Sequence, residues 1–345
     1  MRPTLKRSIL ACAVTAALAL PAHAAAPQFW HHHHESGPLQ KDVKMTVHQV
    51  AGDALEIRLG PYDLPAHTPH DAMPQAPDFF WDVPFDGWLV AYAPNLIDEE
   101  GNDITAKLLH HVGFWNTGRE DFLCPNKEEH VFGAGGELTR WPPLPGFGYE
   151  VHHGDRIRIS TMFHNPTATS YPKAYLTIQV NYVAETTAAG ETDIPKLRSV
   201  YPAWFDVMEC GESAYDLKAG ESVKSGDFKM PQAGLLLGIG GHLHDYGHAL
   251  MVSDATKKEL IARLIPVLDE NGMLQSMPVE TFLSRGGYHL AAGDKVHVSA
   301  EYLNLSGQTL PEGAMGIAVA YFLPDDEAAM NAYARAPKPN KDQRK

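Results

Sequence analysis

The chain has 345 residues, with 28 lysines and arginines against 42 aspartates and glutamates, a formal net charge of −14 at pH 7. An acidic chain without a basic stripe excludes nucleic acid as an expected partner. Hydrophobic residues make up 44% of it, enough for a sizeable core, and the length predicts two domains.

Residues 1–24 read as a secretory signal peptide. Arg2, Lys6 and Arg7 precede an apolar run to Leu20, and Ala22-His23-Ala24 ends it. The run is too short to span a membrane, and no later segment is long and apolar enough to do so. The expected location is periplasmic or secreted. Residues 25–40 form a His-rich arm carrying His31 to His34, either a metal-capturing segment or a solvated linker.

From residue 41 onward helical periodicity is scarce. A stretch rich in proline, residues 61–84, reads as a long surface connection framing an entrance. Short alternating runs at 155–163, 175–182, 295–302 and 316–322 are separated by Gly, Pro, Asn and Asp clusters, and the chain holds 29 glycines and 26 prolines. Alternation with turn punctuation predicts an all-β architecture of sandwich type. Residues 184–199, dominated by Ala, Thr, Gly and Glu, mark the linker between a domain over 41–183 and a second over 200–324. Residues 253–264 fit either a short helix or a hairpin, and 325–345 read as a polar, frayed tail.

Cys12 leaves with the signal, so Cys124 and Cys210 remain, either as one disulfide or as two buried thiols. Two cysteines cannot build a thiolate metal site, whereas 19 histidines are available. Gly-rich phosphate loops, Gly-x-Ser-x-Gly elbows and His-Glu-x-x-His helices are all missing, which sets nucleotide and serine-hydrolase chemistry aside.

The histidines fall into two sets. In the first domain His110 and His111 are adjacent. On a regular strand neighbours face opposite ways, so both reach one ion only where the backbone bends or the strand ends. His164 follows a strong strand and offers a third imidazole. In the second domain the apolar run 234–239 leads into Gly241-His242-Leu243-His244. Residues i and i+2 of a strand share a face, so His242 and His244 converge. Met315 offers a thioether as third donor, with His248 as an alternative. Imidazole suits copper and zinc, and a thioether selects copper. The competing readings are buried histidines bonded to backbone and a methionine in ordinary strand core. Trp115, close to the first pair, could shield it. His152-His153 fits a solvated hairpin end, and His130 and His289 carry no partner signal.

These pieces, in this order, resemble the copper type II, ascorbate-dependent monooxygenases, the family of peptidylglycine α-hydroxylating monooxygenase and dopamine β-monooxygenase. The resemblance covers most of the chain after residue 40. The family's His-His pair looks like His110-His111, its third histidine like His164, its His-x-His pair like His242 and His244, and its methionine like Met315. Val131-Phe132-Gly133-Ala134-Gly135, Gly148-Tyr149-Glu150-Val151 and Ala292-Gly293-Asp294-Lys295 match connecting phrases.

The resemblance implies two tandem jelly-roll domains with one copper each. The three-histidine copper would supply an electron. The His242, His244 and Met315 copper would be the catalytic one, binding dioxygen to hydroxylate a C–H bond of a small molecule or peptide. The chain departs from the family at Gly240, where the peptide-amidating members hold a substrate carboxylate with Arg. It departs again at Ile317 and Val319, where they carry Asn and Tyr, so peptide amidation is not expected. The family's several disulfides cannot form with two cysteines. An ascorbate-like external reductant is implied, and a reductant protein or copper donor is an expected partner. A copper-handling protein without turnover and a metal-free binding jelly roll are the alternative functions.

Overall fold

A computed structural model describes residues 39–137, 143–185 and 196–335. The signal segment 1–24 and the His31 to His34 run lie outside the described residues.

Alternating inward side chains generate the first sandwich. In the strand Arg156–Phe163, Ile157, Ile159, Thr161 and Phe163 are buried while the residues between them are not. This strand is central in a four-stranded sheet ordered Phe79–Asp82, Arg156–Phe163, Leu109–Glu120, Glu128–Ala134. A six-stranded sheet faces it, ordered Lys44–Ala51, Ala54–Leu64, Tyr171–Ala184, Gly87–Ile97, Phe147–Val151, Arg198–Ser199. Ile57, Leu59, Leu176 and Ile178 from the large sheet meet Val112, Phe114, Ile159 and Phe163 from the small one in one core. Burying each such side chain contributes about 1.5–3 kcal/mol before ordering costs.

The second sandwich repeats the plan. One sheet runs Tyr201–Asp206, Gly316–Pro324, Gly234–Leu243, Glu280–Thr281, with Tyr288–Leu290 also paired to the third strand. The other runs Gly220–Lys229, Lys295–Asn304, Gly247–Asp254, Glu259–Leu264. Leu236, Ile239, Leu250, Val252, Val298 and Phe322 fill the space between them. The fold is therefore all-β, two tandem sandwiches of jelly-roll type. Residues 253–264, which fit a helix or a hairpin by sequence, form a hairpin: the strands Gly247–Asp254 and Glu259–Leu264 pair antiparallel.

Two details differ from the sequence reading. Within the tail read as frayed, Glu327–Arg335 is a helix, and residues 336–345 lie outside the described residues. Met330 packs into the second core, Ala334, four residues on, is also buried, and Tyr201 donates a hydrogen bond to Asn331 (2.7 Å). The 184–199 linker also ends in structure, since Arg198–Ser199 adds a parallel edge to the first sandwich.

The two sandwiches interlock. Phe122, Leu123 and Cys124, from the loop after the Leu109–Glu120 strand, are buried in the second core, and Phe122 stacks on Phe322. In return Val279, Val319 and Tyr321 pack against the first core. Cys124 and Cys210 form a disulfide between the halves, with Cα atoms 5.4 Å apart. No described helix is long and apolar enough to cross a membrane.

Candidate metal centre

The adjacent pair His110-His111 sits where the strand bends. In the pairing of Leu109–Glu120 with Arg156–Phe163, Leu109 opposes Phe163 and His111 opposes Met162. His110 is therefore the extra residue of a β-bulge, which re-aims side chains that would otherwise face opposite ways. The two rings come to 4.1 Å between centroids. His164, one residue past its strand, has its ring 5.1 Å from that of His110.

The second sandwich delivers its pair to the same place. His242 lies at the end of the strand Gly234–Leu243 and His244 just beyond it. Their rings are 5.3 Å apart, and His244 lies 5.0 Å from His110 and 5.6 Å from His111. All five histidines picked out as ligands thus form one cluster between the sandwiches. The tightest group mixes the two sets: single ring nitrogens of His110, His111 and His244 all lie within 4.8 Å of one another. His111 Nε2 and His242 Nε2 are 2.9 Å apart. Two nitrogens bonded to one ion at ~2.0–2.1 Å and at right angles stand ~2.9 Å apart.

The outer nitrogens are held as in metal sites, where the ring atom opposite the ion donates to a carboxylate or carbonyl. His242 Nδ1 bonds the Glu137 carboxylate. His164 Nε2 donates to the Lys107 carbonyl (2.6 Å), leaving Nδ1 as the lone-pair nitrogen. The His244 Nε2 is buried without a hydrogen-bond partner. A buried imidazole nitrogen without a partner costs about 1–3 kcal/mol, a cost that a bound ion removes. The donor set therefore fits a transition metal that favours imidazole.

Met315 stands next to this group through its backbone. Gly316 opposes Leu243 in the sheet. The Tyr302 hydroxyl accepts from the amides of His244 (3.0 Å) and Met315 (3.1 Å) and donates to the Met315 carbonyl. His248 is exposed on the next strand. The pair His152-His153 lies at a turn, beside Asp86.

Burial first, and then neighbouring imidazolium charge, hold His110, His111 and His244 well below the ordinary histidine value; burial also lowers His164. The folded apoprotein therefore keeps these rings neutral at pH values where an unfolded histidine, with its pKa near ~6.5, takes a proton. Below that value the unfolded chain binds more protons, so stability falls with pH. Thermal melts of metal-free protein should show a lower Tm at pH 5.5 than at 7.5, with a smaller difference in His244→Ala. Equal slopes in the two proteins would contradict this.

Two participants escaped the sequence reading. Glu137 follows Gly135-Gly136. A Cβ at Gly135 would collide with the Glu137 carboxylate and with the His110 carbonyl, so glycine lets the acid approach. His70, in the proline-rich connection, stacks parallel on His110 with centroids 4.8 Å apart. Its signal was only the repeated histidine of His67-Thr68-Pro69-His70. His130 also has partners, Asp121 at 3.2 Å and the Trp204 ring stacked at 4.2 Å. His289 bonds Asp325 at 2.9 Å.

A cleft of about 290 Å³ opens along the same interface, lined by Trp115, His130, Trp204, Ile317 and both disulfide cysteines among others. Its lining contains none of the clustered histidines, but Ile317 is the cross-strand partner of His242. Trp115 lines the cleft, with its indole over Gly113, two residues from His111, and the Arg158 guanidinium 4.3 Å from its ring centre.

No family model matches the chain, and no curated protein matches it. Among solved structures it is similar to PNGase F, a glycosylasparaginase from Flavobacterium meningosepticum, with 9% identity, 79% of this chain and 97% of that chain covered, and a TM-score of 0.40. A chain of Sulfolobus Turreted Icosahedral Virus gives 10% identity, coverage of 85% and 96%, and a TM-score of 0.36. The mavirus major capsid protein gives 9% identity, coverage of 88% and 92%, and a TM-score of 0.25. Likenesses at these scores say nothing of activity.

Proposed function

We propose that the chain is a secreted copper protein with its redox centre in the interface cluster, working as a copper-dependent monooxygenase. Convergence of His110, His111 and His244 around an unpartnered, buried His244 Nε2 carries this reading. Bound copper would supply one-electron redox chemistry and activation of dioxygen toward a substrate C–H bond. His110, His111, His164, His242 and His244 would hold the metal, and Met315, next to His244, is the candidate thioether donor. Glu137 fixes the tautomer of His242, and the carbonyl of Lys107 does the same for His164. The cleft beside Ile317, lined by Trp115, gives an organic substrate room. The disulfide and the signal-like residues 1–24 suit an oxidising compartment outside the cytoplasm. The reductant is external and ascorbate-like.

The second reading is copper handling without turnover, favoured because the cleft does not open directly onto the histidines. Purified protein loaded with copper and supplied with ascorbate should consume oxygen in the presence of a pool of organic substrates. Tight copper binding with no substrate-dependent oxygen uptake would select copper handling. In the same preparation, copper content unchanged in Met315→Ile would remove Met315 from the ligand set.

A further inference from the structure

One phenol closes the sheet beside the cluster. The strands Gly234–Leu243 and Gly316–Pro324 pair residue for residue from Gly238 opposite Tyr321 to His242 opposite Ile317 and Leu243 opposite Gly316, where the ladder ends. One rung further would set His244 opposite Met315. The Tyr302 hydroxyl takes the place of that rung, reaching over from the strand Lys295–Asn304 of the facing sheet. His244 N (3.0 Å) and Met315 N (3.1 Å) both donate to its oxygen, and its O–H donates to the Met315 carbonyl. A hydroxyl offers one proton and two lone pairs, and all three are used. The two backbones are thus joined at three points through a single oxygen.

The phenol is itself fixed. Tyr302 is 3% exposed, and Tyr215 meets its ring edge-on with centroids 6.4 Å apart. Tyr215 also opposes Ala314, the residue before Met315. Gly247 is the cross-strand partner of Tyr302, and Leu303 N donates to the Tyr246 carbonyl (3.0 Å). Gly247 N donates to the His244 carbonyl (3.1 Å). The turn from His244 to Gly247 therefore hangs on Tyr302 and Leu303, with His244 held at both its amide and its carbonyl.

We infer that Tyr302 is a positioning residue of the metal centre, setting the spacing of His244 and Met315 so that imidazole and thioether donate to one copper ion. This rests on the copper reading above. A thioether is a soft donor that selects copper, and a donor delivered even ~1 Å out of place leaves a site too loose to work. Neither His244 nor Met315 belongs to a strand that would hold it, since each lies just past the last rung. The hydroxyl supplies what the ladder does not.

The test is X-ray absorption at the copper edge of the full-length protein loaded with one equivalent of Cu(I), with affinity read by chelator competition. Wild type should show a sulfur beside its nitrogen shell. Tyr302→Phe keeps the ring and its packing and removes only the oxygen. It should keep the nitrogens, lose the sulfur and bind Cu(I) about 10–100-fold more weakly, the usual loss when an outer partner of a ligand is removed. Combined with Met315→Ile, it should bind no more weakly than Met315→Ile alone, because the two changes act through one contact. A purely structural tyrosine would instead lower the melting temperature, leave the sulfur in place and add its loss to that of Met315→Ile; that result in a folded variant would overturn the assignment. A nitrogen-only spectrum in wild type would overturn it too and leave the copper reading intact. A wild type that binds no copper would overturn the copper reading itself, and the role of Tyr302 with it.

Discussion

Replacing His111 by alanine is expected to weaken copper binding by more than about 100-fold, since even the outer partners of metal-bound imidazoles are worth about 10–100-fold. His111 is the residue on which both close contacts in the cluster depend. It belongs to the group with His110 and His244, and its Nε2 faces that of His242. Its loss therefore removes one donor and unseats another. The fold should survive, because the bulge is a backbone feature held by the pairing of Leu109 with Phe163 and Val112 with Thr161. Competition with a chromophoric Cu(I) chelator, followed by absorbance, measures the change directly. A dissociation constant within a few-fold of wild type, in a variant with an unaltered melt, would show that the cluster does not hold the copper.

Removing the disulfide is the second large effect. In the double variant Cys124→Ser, Cys210→Ser the unfolded chain gains the freedom of a loop closed across 86 residues. Cross-links of this kind contribute about 2–4 kcal/mol. The cost should fall on the seam between the sandwiches, because Phe122, Leu123 and Cys124 reach from the first half into the core of the second. The expected outcome is a Tm several degrees lower, reproduced in wild type by a strong reductant and absent when the same reductant is added to the double variant. An unchanged melt would mean that the interlocking side chains alone hold the seam.

The β-architecture was legible because strand alternation is a local property. Ile157, Ile159 and Phe163 announce an inward face two residues at a time, and the structure buries them. The His-x-His pair was legible for the same reason. The bulge at His110 was not, since an extra residue exists only relative to a partner strand. His70 and Glu137 were hidden differently. Both lie in connections, where position comes from hydrogen bonds made by Gln75 and Thr68 or from the glycines before Glu137, and no periodicity marks them. The terminal helix is hidden in sequence because the overall polarity of 325–345 outweighs the four-residue spacing of Met330 and Ala334. Two separate centres, one in each sandwich, is the picture the residue order suggests; the structure brings the five histidines together across the interface.

The bulge has a consequence for how such a centre is gained and lost. A strand shorter by the one residue at 110 would pair straight with Arg156–Phe163 and still present Val112 and Phe114 to the core. The sandwich does not depend on that residue, but the adjacency of two imidazoles does. A single-codon insertion or deletion is thus enough to bring the two imidazoles together or part them in a scaffold that stays folded.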